Sequence, residues 1–200
     1  MPRRKTGSYE AGRQRRARII TAAAEHFAGL GYHRTSLTQV AEAADVTEGG
    51  LLHHFPSKKH LLLAVAEHRI EATAAWWGEL PEDAGLTQVL DLMVRTTERF
   101  LAEPGLIQLN VLATAEAADP SSPAHEALSR RYRTVIEHLA ATLQRCADRG
   151  ELAGGTDCAA LARECIAVSD GLQLQWVLTD GETDLVGGVR AHCRRILGGA

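Results

Sequence analysis

The stretch that decides the fold is residues 36–63, SLTQVAEAADVTEGGLLHHFPSKKHLLL. Ser36 and Gln39 have the spacing of a capping box, in which each side chain accepts a hydrogen bond from a backbone N–H group at the start of a helix. Apolar and small side chains then recur at helical spacing for two turns. A short helix is therefore predicted to begin at Leu37.

A second short helix is predicted after a tight turn at Asp45. Thr47 is a suitable N-cap for it, and Pro56 limits its far end because the residue before a proline avoids the helical conformation. A third and longer helix is expected to begin at Lys58. Two short helices around a tight turn, followed by a longer one, form the layout of a DNA-reading module.

Basic residues are concentrated at the amino-terminal end. Residues 1–60 contain ten Lys and Arg against five Asp and Glu, whereas the remaining 140 contain 12 against 20. A basic front end favours contact with DNA phosphates. The alternative for any arginine-rich terminus is a merely solvated tail, but the neighbouring helix-turn-helix pattern favours DNA.

Residues 18–63 resemble the TetR family of bacterial transcriptional regulators. Members typically carry a glycine before an aromatic residue, a Thr-Ser pair that opens the next helix, and Gly-x-Leu-Tyr-x-His-Phe followed by a lysine. These features correspond here to residues 31–32, 35–36, 49–55 and Lys58. The resemblance implies an all-α, nine-helix fold, with an N-terminal helix-turn-helix head and a C-terminal helical-bundle body for ligand binding and dimerisation.

Three positions depart from the family pattern. Asp45 replaces the usual turn glycine, which it can do because Asp tolerates a left-handed backbone better than most residues. Leu52 replaces a tyrosine whose hydroxyl commonly contacts a phosphate in the family. Glu48 stands where a basic or amide side chain is common; its carboxylate would repel phosphate but could accept a hydrogen bond from the N4 amine of cytosine.

Each head is expected to insert residues 47–54 into a major groove, so that two heads read a pseudo-palindromic operator in double-stranded DNA. The residues expected near base edges are Thr38, Thr47, Glu48, Gly49 and His53. Those expected near the DNA backbone are Arg3, Arg4, Ser36, Leu52, His54 and Lys58.

The rest of the chain reads as further helices bounded by Pro, Gly, Asp and Thr, with no sustained strand pattern. The head is predicted to span residues 1–56 and the body residues 57–200. No apolar run reaches the roughly 20 residues of a membrane span, and no signal peptide is expected at the polar N-terminus. A cytoplasmic protein with no membrane partner is therefore expected.

The four cysteines lack the CxxC spacing of metal or redox sites. Cys146, Cys158, Cys165 and Cys193 lie within helical patterns. Buried free thiols in a reducing compartment are expected in preference to disulfides or a metal set. No cofactor and no bound metal are predicted.

The last two predicted helices carry small and apolar faces. In the resembled family the corresponding helices of two subunits pair into a four-helix bundle, which implies a homodimer. The alternative is that these faces pack only within one subunit. The residues expected at the interface are Leu161, Cys165, Val168, Gly171, Leu172, Leu185, Val189, His192 and Ile196.

A pocket for a small-molecule effector is expected inside the body, because most of the large aromatic residues and several polar groups fall there. This mixture is usual for small-molecule sites. The residues expected to line the pocket are Trp76, Trp77, Met93, Phe100, Asn110, Tyr132, His138, Gln173 and Trp176.

The sequence therefore predicts a ligand-responsive DNA-binding transcriptional regulator, more specifically a repressor released from its operator by a small molecule. The alternatives are a metal sensor that uses His and Cys of the body, a constitutive regulator, a protein-interaction module and an all-α enzyme. Catalysis is disfavoured because His53 and His54 lie on different helix faces, and Asp170 has no His or Cys partner at suitable spacing.

Overall fold

The computed structural model describes residues 5–122 and 125–199, with side chains from residue 9 onward except that of Ala72. These ranges contain nine α-helices and no strand, which confirms the predicted all-α architecture. The helices are α1 (Lys5–Leu30), α2 (Leu37–Ala43), α3 (Glu48–His54), α4 (Lys58–Gly78), α5 (Leu86–Ala102), α6 (Pro104–Ala117), α7 (His125–Asp148), α8 (Cys158–Leu178) and α9 (Leu185–Gly198).

Local hydrogen bonds fix the ends of α2 and α3 as the sequence predicts. The Ser36 hydroxyl accepts from the backbone N–H of Gln39 at 3.1 Å, and the Gln39 side chain accepts from the backbone N–H of Ser36 at 2.8 Å. Thr47 caps α3 by accepting from the N–H of Gly50 at 3.0 Å. Between the two helices, Asp45 adopts the expected left-handed conformation, with φ of 54°.

The first hydrophobic core joins the head to the body. Phe27, Val40 and Leu51 are buried in it together with Leu61 of α4. The same core includes Leu109 of α6 and further residues of that helix. Apolar packing therefore continues across residue 56, and the domain boundary placed there remains a prediction.

Gly105 brings α6 against the backbone of α1. A Cβ atom built on Gly105 would lie 2.3 Å from Cα and 2.4 Å from the carbonyl oxygen of Ala28. Real Cβ atoms do not approach backbone atoms so closely, so any larger side chain would force the two helices apart. The glycine thus permits direct contact between a helix of the body and a helix of the head.

A second core holds the body together. It is formed by buried residues of α5, α7, α8 and α9, among them Val89, Leu143, Cys165 and Val189. All four cysteines are buried and unpaired, in agreement with the expectation of free thiols. None of the helices in the described ranges is long and apolar enough to cross a membrane.

Candidate DNA-binding and ligand-binding sites

The helix α3 presents one face to solvent and buries the other. Leu51 is fully buried in the head, and Phe55, which follows the helix, is buried as well. The exposed face carries Glu48, Gly49 and His53. Residues on this face are available to a major groove, as the helix-turn-helix pattern requires.

A side-chain hydrogen bond connects the two helices of the DNA-reading unit at its exposed surface. The Thr38 hydroxyl of α2 donates to Oε2 of Glu48 at 2.7 Å. Glu48 is also in the first turn of α3, where the helix dipole favours a negative charge. The carboxylate is therefore held in one orientation at the amino-terminal end of the recognition helix.

Several residues predicted near the DNA backbone have partners within the protein. The Lys58 ammonium lies 4.6 Å above the ring of Tyr32 and donates to the His33 carbonyl at 3.2 Å. Burial lowers the pKa of Lys58. Burial also lowers the pKa of His54, with nearby positive charge contributing.

Four more residues are predicted near the DNA backbone: Ser36, Leu52, Arg3 and Arg4. The Ser36 hydroxyl already serves as the helix cap. Leu52 is 38% exposed and presents an apolar surface in place of a phenol hydroxyl. Arg3 and Arg4 lie outside the described residues.

A cavity of about 330 Å³ lies in the body between α4, α5, α6, α7 and α8. This volume is near the lower end of the roughly 300–1,000 Å³ that ligand pockets usually have. Apolar side chains, including Trp77, Met93, Leu139 and Ile166, form much of the wall. The cavity is thus suited to a compact molecule with a substantial apolar part.

The structure brings together seven of the nine residues predicted for the pocket: Trp77, Met93, Phe100, Asn110, Tyr132, His138 and Gln173. The prediction is wrong for the other two tryptophans. Trp76 packs outside the cavity, where the Arg99 guanidinium lies 4.6 Å over its ring. Trp176 is near the end of α8, where its ring lies against Gly181. Neither position could be distinguished from that of Trp77 by composition alone.

Two polar pairs cross the cavity between helices. The Tyr132 hydroxyl of α7 donates to Oδ2 of Asp170 on α8 at 2.8 Å. Burial raises the pKa of Asp170, although this hydrogen bond acts in the opposite direction. The second pair is a long hydrogen bond from the Asn110 amide of α6 to the Gln173 oxygen at 3.5 Å.

Two arginines that the sequence prediction missed also line the cavity. The Arg69 guanidinium lies 4.3 Å over the ring of Phe100, and Arg131 donates to the backbone carbonyl of Ile70 at 2.6 Å. A signal for Arg69 existed, since it follows Leu62 at a spacing of seven residues and therefore shares the buried face of α4. Arg131 gave no comparable signal because charged residues surround it in the sequence.

The predicted dimer residues of α8 and α9 do not all face outward. Cys165, Leu185, Val189 and His192 are buried within one subunit, which contradicts their assignment to the subunit surface. Their apolar stripes pack the two helices against the rest of the body. Three more, Leu161, Leu172 and Ile196, are half-buried against the body core. Val168 and Gly171 are half-buried as well.

A different apolar face of α8 and α9 remains on the surface. Leu174, Leu178 and Leu197 are 44%, 73% and 39% exposed. A Cβ atom on Gly171, one turn before Leu174, would meet no atom within 4 Å. Sequence periodicity identified apolar stripes but could not decide which stripe faces the subunit's own core.

Metal-ligating side chains do not cluster in the ranges that the structure describes. No group of three or more His, Cys, Asp and Glu side chains there could hold a metal ion.

Comparison with known proteins agrees with this architecture over most of the chain. Residues 19–65 match the profile of bacterial regulatory proteins of the tetR family, and residues 83–199 match that of the BetI-type transcriptional repressor, C-terminal. A relative, the HTH-type transcriptional regulator TtgR of Pseudomonas putida, is 26% identical over 185 residues, covering 90% of this chain and 88% of that protein.

Two solved structures share the fold. The transcriptional regulator FadR from Bacillus subtilis, in complex with stearoyl-CoA, has a TM-score of 0.74 at 19% identity and covers 92% of this chain and 98% of its own. A putative transcriptional regulator from Saccharomonospora viridis, in complex with choline, has a TM-score of 0.73 at 23% identity and covers 92% and 95%. Family profiles match both ends of this chain, and the second profile covers more than half of the chain. This chain therefore belongs to the TetR family of bacterial transcriptional regulators.

Proposed function

We propose that this regulator is a cytoplasmic homodimeric repressor that leaves its DNA operator when a small molecule occupies the body cavity. The observation that carries the proposal is the position of α4 and α6. Both helices line the cavity, and both contact α1 of the head. A molecule that changes the position of either helix therefore acts on the DNA-reading unit through direct contacts.

The exposed face of α3 supplies the base contacts in this proposal. Because Thr38 engages Oε2 of Glu48, the second carboxylate oxygen can accept a hydrogen bond from a cytosine N4 amine. Holding the carboxylate in advance reduces the side-chain entropy lost on binding. We expect His53, Thr47 and Gly49 to approach neighbouring base edges.

Phosphate contacts are assigned to the basic and capping residues around α3. Lys58 keeps ammonium protons beyond the one given to His33, so it can also reach a phosphate. His54, Ser36, Leu52 and the N-terminal arginines Arg3 and Arg4 complete the proposed DNA-backbone contacts. Phosphate binding favours the charged form of His54 and acts against the lowering of its pKa in the free protein.

Dimerisation is assigned to the exposed leucines of α8 and α9. Large exposed apolar side chains mark candidate interaction surfaces, and Leu174 and Leu178 are one turn apart on α8. Gly171, on the same helix as Leu174 and Leu178, leaves room for the backbone of a partner subunit to approach closely. Pairing places two heads on one operator, which a single short recognition helix needs for selective binding.

Two contacts link α6 to its neighbours, one to α1 of the head and one to the start of α4, the helix that follows the head. Gly105 of α6 lies against Ala28 of α1, and Lys59 at the start of α4 forms an ion pair with Glu116 near the end of α6. Asn110, one of the cavity residues, lies on α6 between these two contacts. A shift of α6 is therefore transmitted to both helices that support the recognition unit.

The alternatives have less support. A metal sensor would need a ligand cluster, and the apolar cavity with its paired polar groups suits an organic molecule better. An enzyme would need a nucleophile and a base in reach of each other, whereas Asp170 is engaged by Tyr132. A constitutive regulator would leave the cavity without a role. The relatives named above are regulators, and two proteins of this fold bind small molecules in their structures.

DNA retardation tests the proposal. The purified protein should retard a fragment from upstream of its own gene and should not retard a shuffled fragment of equal composition. Changing Glu48 and His53 to Ala together should abolish retardation, because both side chains lie on the exposed face of α3. The control Glu42→Ala alters an exposed residue of α2 and should bind like the wild type. Retardation that survives the double change would contradict the assignment of α3.

A further inference from the structure

The cavity contains most of the unpaired buried side-chain atoms found in the described ranges. Five buried side-chain nitrogen or oxygen atoms in the described ranges have no hydrogen-bond partner, and four of them belong to cavity residues. These four are Nη1 and Nη2 of Arg69, Nε of Arg131 and Oγ1 of Thr96. Native structures leave few buried polar atoms unpaired, so their concentration around one cavity calls for a specific explanation.

Three of the four atoms are guanidinium nitrogens, which can only donate hydrogen bonds. No carboxylate among the described side chains forms an ion pair with Arg69 or Arg131. The carboxylate of Asp170, which lies in the cavity wall, accepts a hydrogen bond from Tyr132. The cavity therefore has an excess of donors and of positive charge.

Arg69 remains positively charged despite its surroundings. Burial lowers its pKa to about 10, and the negative charge of Glu103 acts in the opposite direction. The ring of Phe100 covers one face of the guanidinium but offers no acceptor to Nη1 and Nη2. A water molecule could accept from these donors but could not balance the charge, and an unbalanced buried charge costs stability.

We infer that the cavity binds a compact amphipathic carboxylate, with its carboxylate group paired with the guanidinium of Arg69 and its apolar part against Trp77, Met93 and Ile166. A carboxylate matches the planar fork of a guanidinium and accepts two parallel hydrogen bonds from it. The cavity of about 330 Å³ corresponds to roughly ten water molecules of liquid volume. The ligand should therefore have about ten non-hydrogen atoms.

An organic cation is the competing ligand class. Asp170, Trp77 and Tyr132 could attract one, since aromatic faces and carboxylates both stabilise positive charge. Two guanidinium groups in the same cavity act against it. The hydrogen bond from Tyr132 also occupies one oxygen of Asp170, which weakens the only acidic group of the wall as a counter-ion.

Three probes with the same eight-carbon chain separate the possibilities: octanoate, 1-octanol and octylammonium. Calorimetry on the full-length wild type should give the tightest binding for octanoate. Arg69→Met should weaken octanoate binding about 10- to 100-fold, as expected for hydrogen bonds to a charged group, and change octanol binding less than about threefold. The matched control is Arg99→Met, because Arg99 also stacks on an aromatic ring but lies outside the cavity.

A second measurement needs no ligand. Arg69→Met removes an unpaired buried charge and keeps an unbranched side chain, so the ligand-free variant should melt about 2 to 4 °C higher than the wild type. Lower melting would mean that the guanidinium supports the fold, and the inference would be overturned. It would also be overturned by equal affinities for octanoate and octanol, or by preferred binding of octylammonium that Asp170→Asn removes.

The inference on the ligand class rests on the proposed cavity function, and its failure can be told apart from failure of that function. If octanol or octylammonium binds best and releases the operator, regulation by a ligand stands and the carboxylate assignment fails. If octanoate binds selectively through Arg69 but leaves DNA retardation unchanged, the carboxylate site stands and the release mechanism fails.

Discussion

The head and the body cavity differ in how completely their polar groups are hydrogen-bonded. In the head, Ser36 and Gln39 satisfy each other's backbone N–H groups, and Thr47 satisfies that of Gly50. In the cavity, Nη1 and Nη2 of Arg69 and Nε of Arg131 are buried without partners. None of the unpaired buried atoms belongs to the described side chains of the head, residues 9–56.

The two patterns of hydrogen bonding match the different roles of the head and the cavity. Complete local hydrogen bonding holds α2 and α3 in one geometry, as a surface that must fit a DNA groove requires. Unpaired donors in the cavity cost stability in the free protein, but they become favourable when an acceptor arrives. A region that must change with ligand binding is better served by such incomplete pairing than by a fully satisfied network.

The largest expected effect comes from separating the two subunits of the proposed dimer while each head stays intact. Leu178→Arg places a charge on the most exposed leucine of α8 and should give a folded monomer. Operator affinity should fall about 10²- to 10⁴-fold, because the second head no longer benefits from tethering. Sedimentation and DNA retardation measure both steps.

Gln144→Arg is the matched control for the dimer, since it adds the same charge at an exposed position of α7 beside Asp148. It should stay dimeric and bind DNA normally. A Leu178→Arg protein that remains dimeric would place the subunit interface elsewhere. Val189→Arg is unsuitable for this purpose because Val189 is buried, and the change should unfold the body.

The next effect concerns the contact between α6 and α1. Gly105→Ala should lower the free energy of unfolding by about 1–3 kcal/mol or more, because backbone atoms of Ala28 cannot move aside as a flexible side chain would. The control is Gly29→Ala, at the residue after Ala28 in α1, which adds the same methyl group in open space. It should raise the free energy of unfolding by up to about 1 kcal/mol through helix propensity. Urea unfolding measures both; equal stabilities would contradict the close packing.

A smaller effect is expected on base preference within the head. Glu48→Gln should reduce discrimination at one operator position by about 1 kcal/mol, within the range for base-edge contacts, because an amide can both donate and accept. Glu42→Gln on α2 is the control and should not change any preference. Competition with operators changed one base pair at a time gives the result. A uniform change at every position would assign Glu48 to general electrostatics.

The smallest expected effect is a pH dependence in the cavity. Burial raises the pKa of Asp170 above the ordinary 3.8, so the folded state takes up its proton at a higher pH than the unfolded chain. Stability should therefore increase as pH falls from the raised pKa towards 3.8. Asp170→Asn should remove this increase, and Tyr132→Phe should extend the window upward because it removes the hydrogen bond that lowers the pKa. An unchanged profile in Asp170→Asn would contradict the assignment.

The sequence predicts best the features that depend on residues close together in the chain. The caps of α2 and α3, the left-handed Asp45 and the nine helices of the described ranges depend on neighbours within a few residues, and periodicity or turn chemistry reveals them. Seven of the nine predicted pocket residues line the cavity because large aromatic and amide side chains in a helical body tend to converge.

The remainder depends on which helix faces meet, and one sequence does not contain that information in readable form. Val189 and Leu178 look alike as apolar positions, yet one is buried in its own subunit and the other is 73% exposed. Trp76 and Trp77 are adjacent, and only one lines the cavity. The sequence prediction of the pocket omits Arg69, although its spacing of seven residues from Leu62 places it on the buried face of α4.

The central claim is that occupancy of the cavity and binding of the operator are linked, and one titration tests it directly. Operator affinity of the wild type is measured with and without saturating octanoate, while calorimetry reports occupancy of the cavity. The account predicts that operator affinity falls about 5- to 150-fold and that operator DNA weakens octanoate binding by the same factor, as linkage requires. Saturation of the cavity with no change in operator affinity would contradict it.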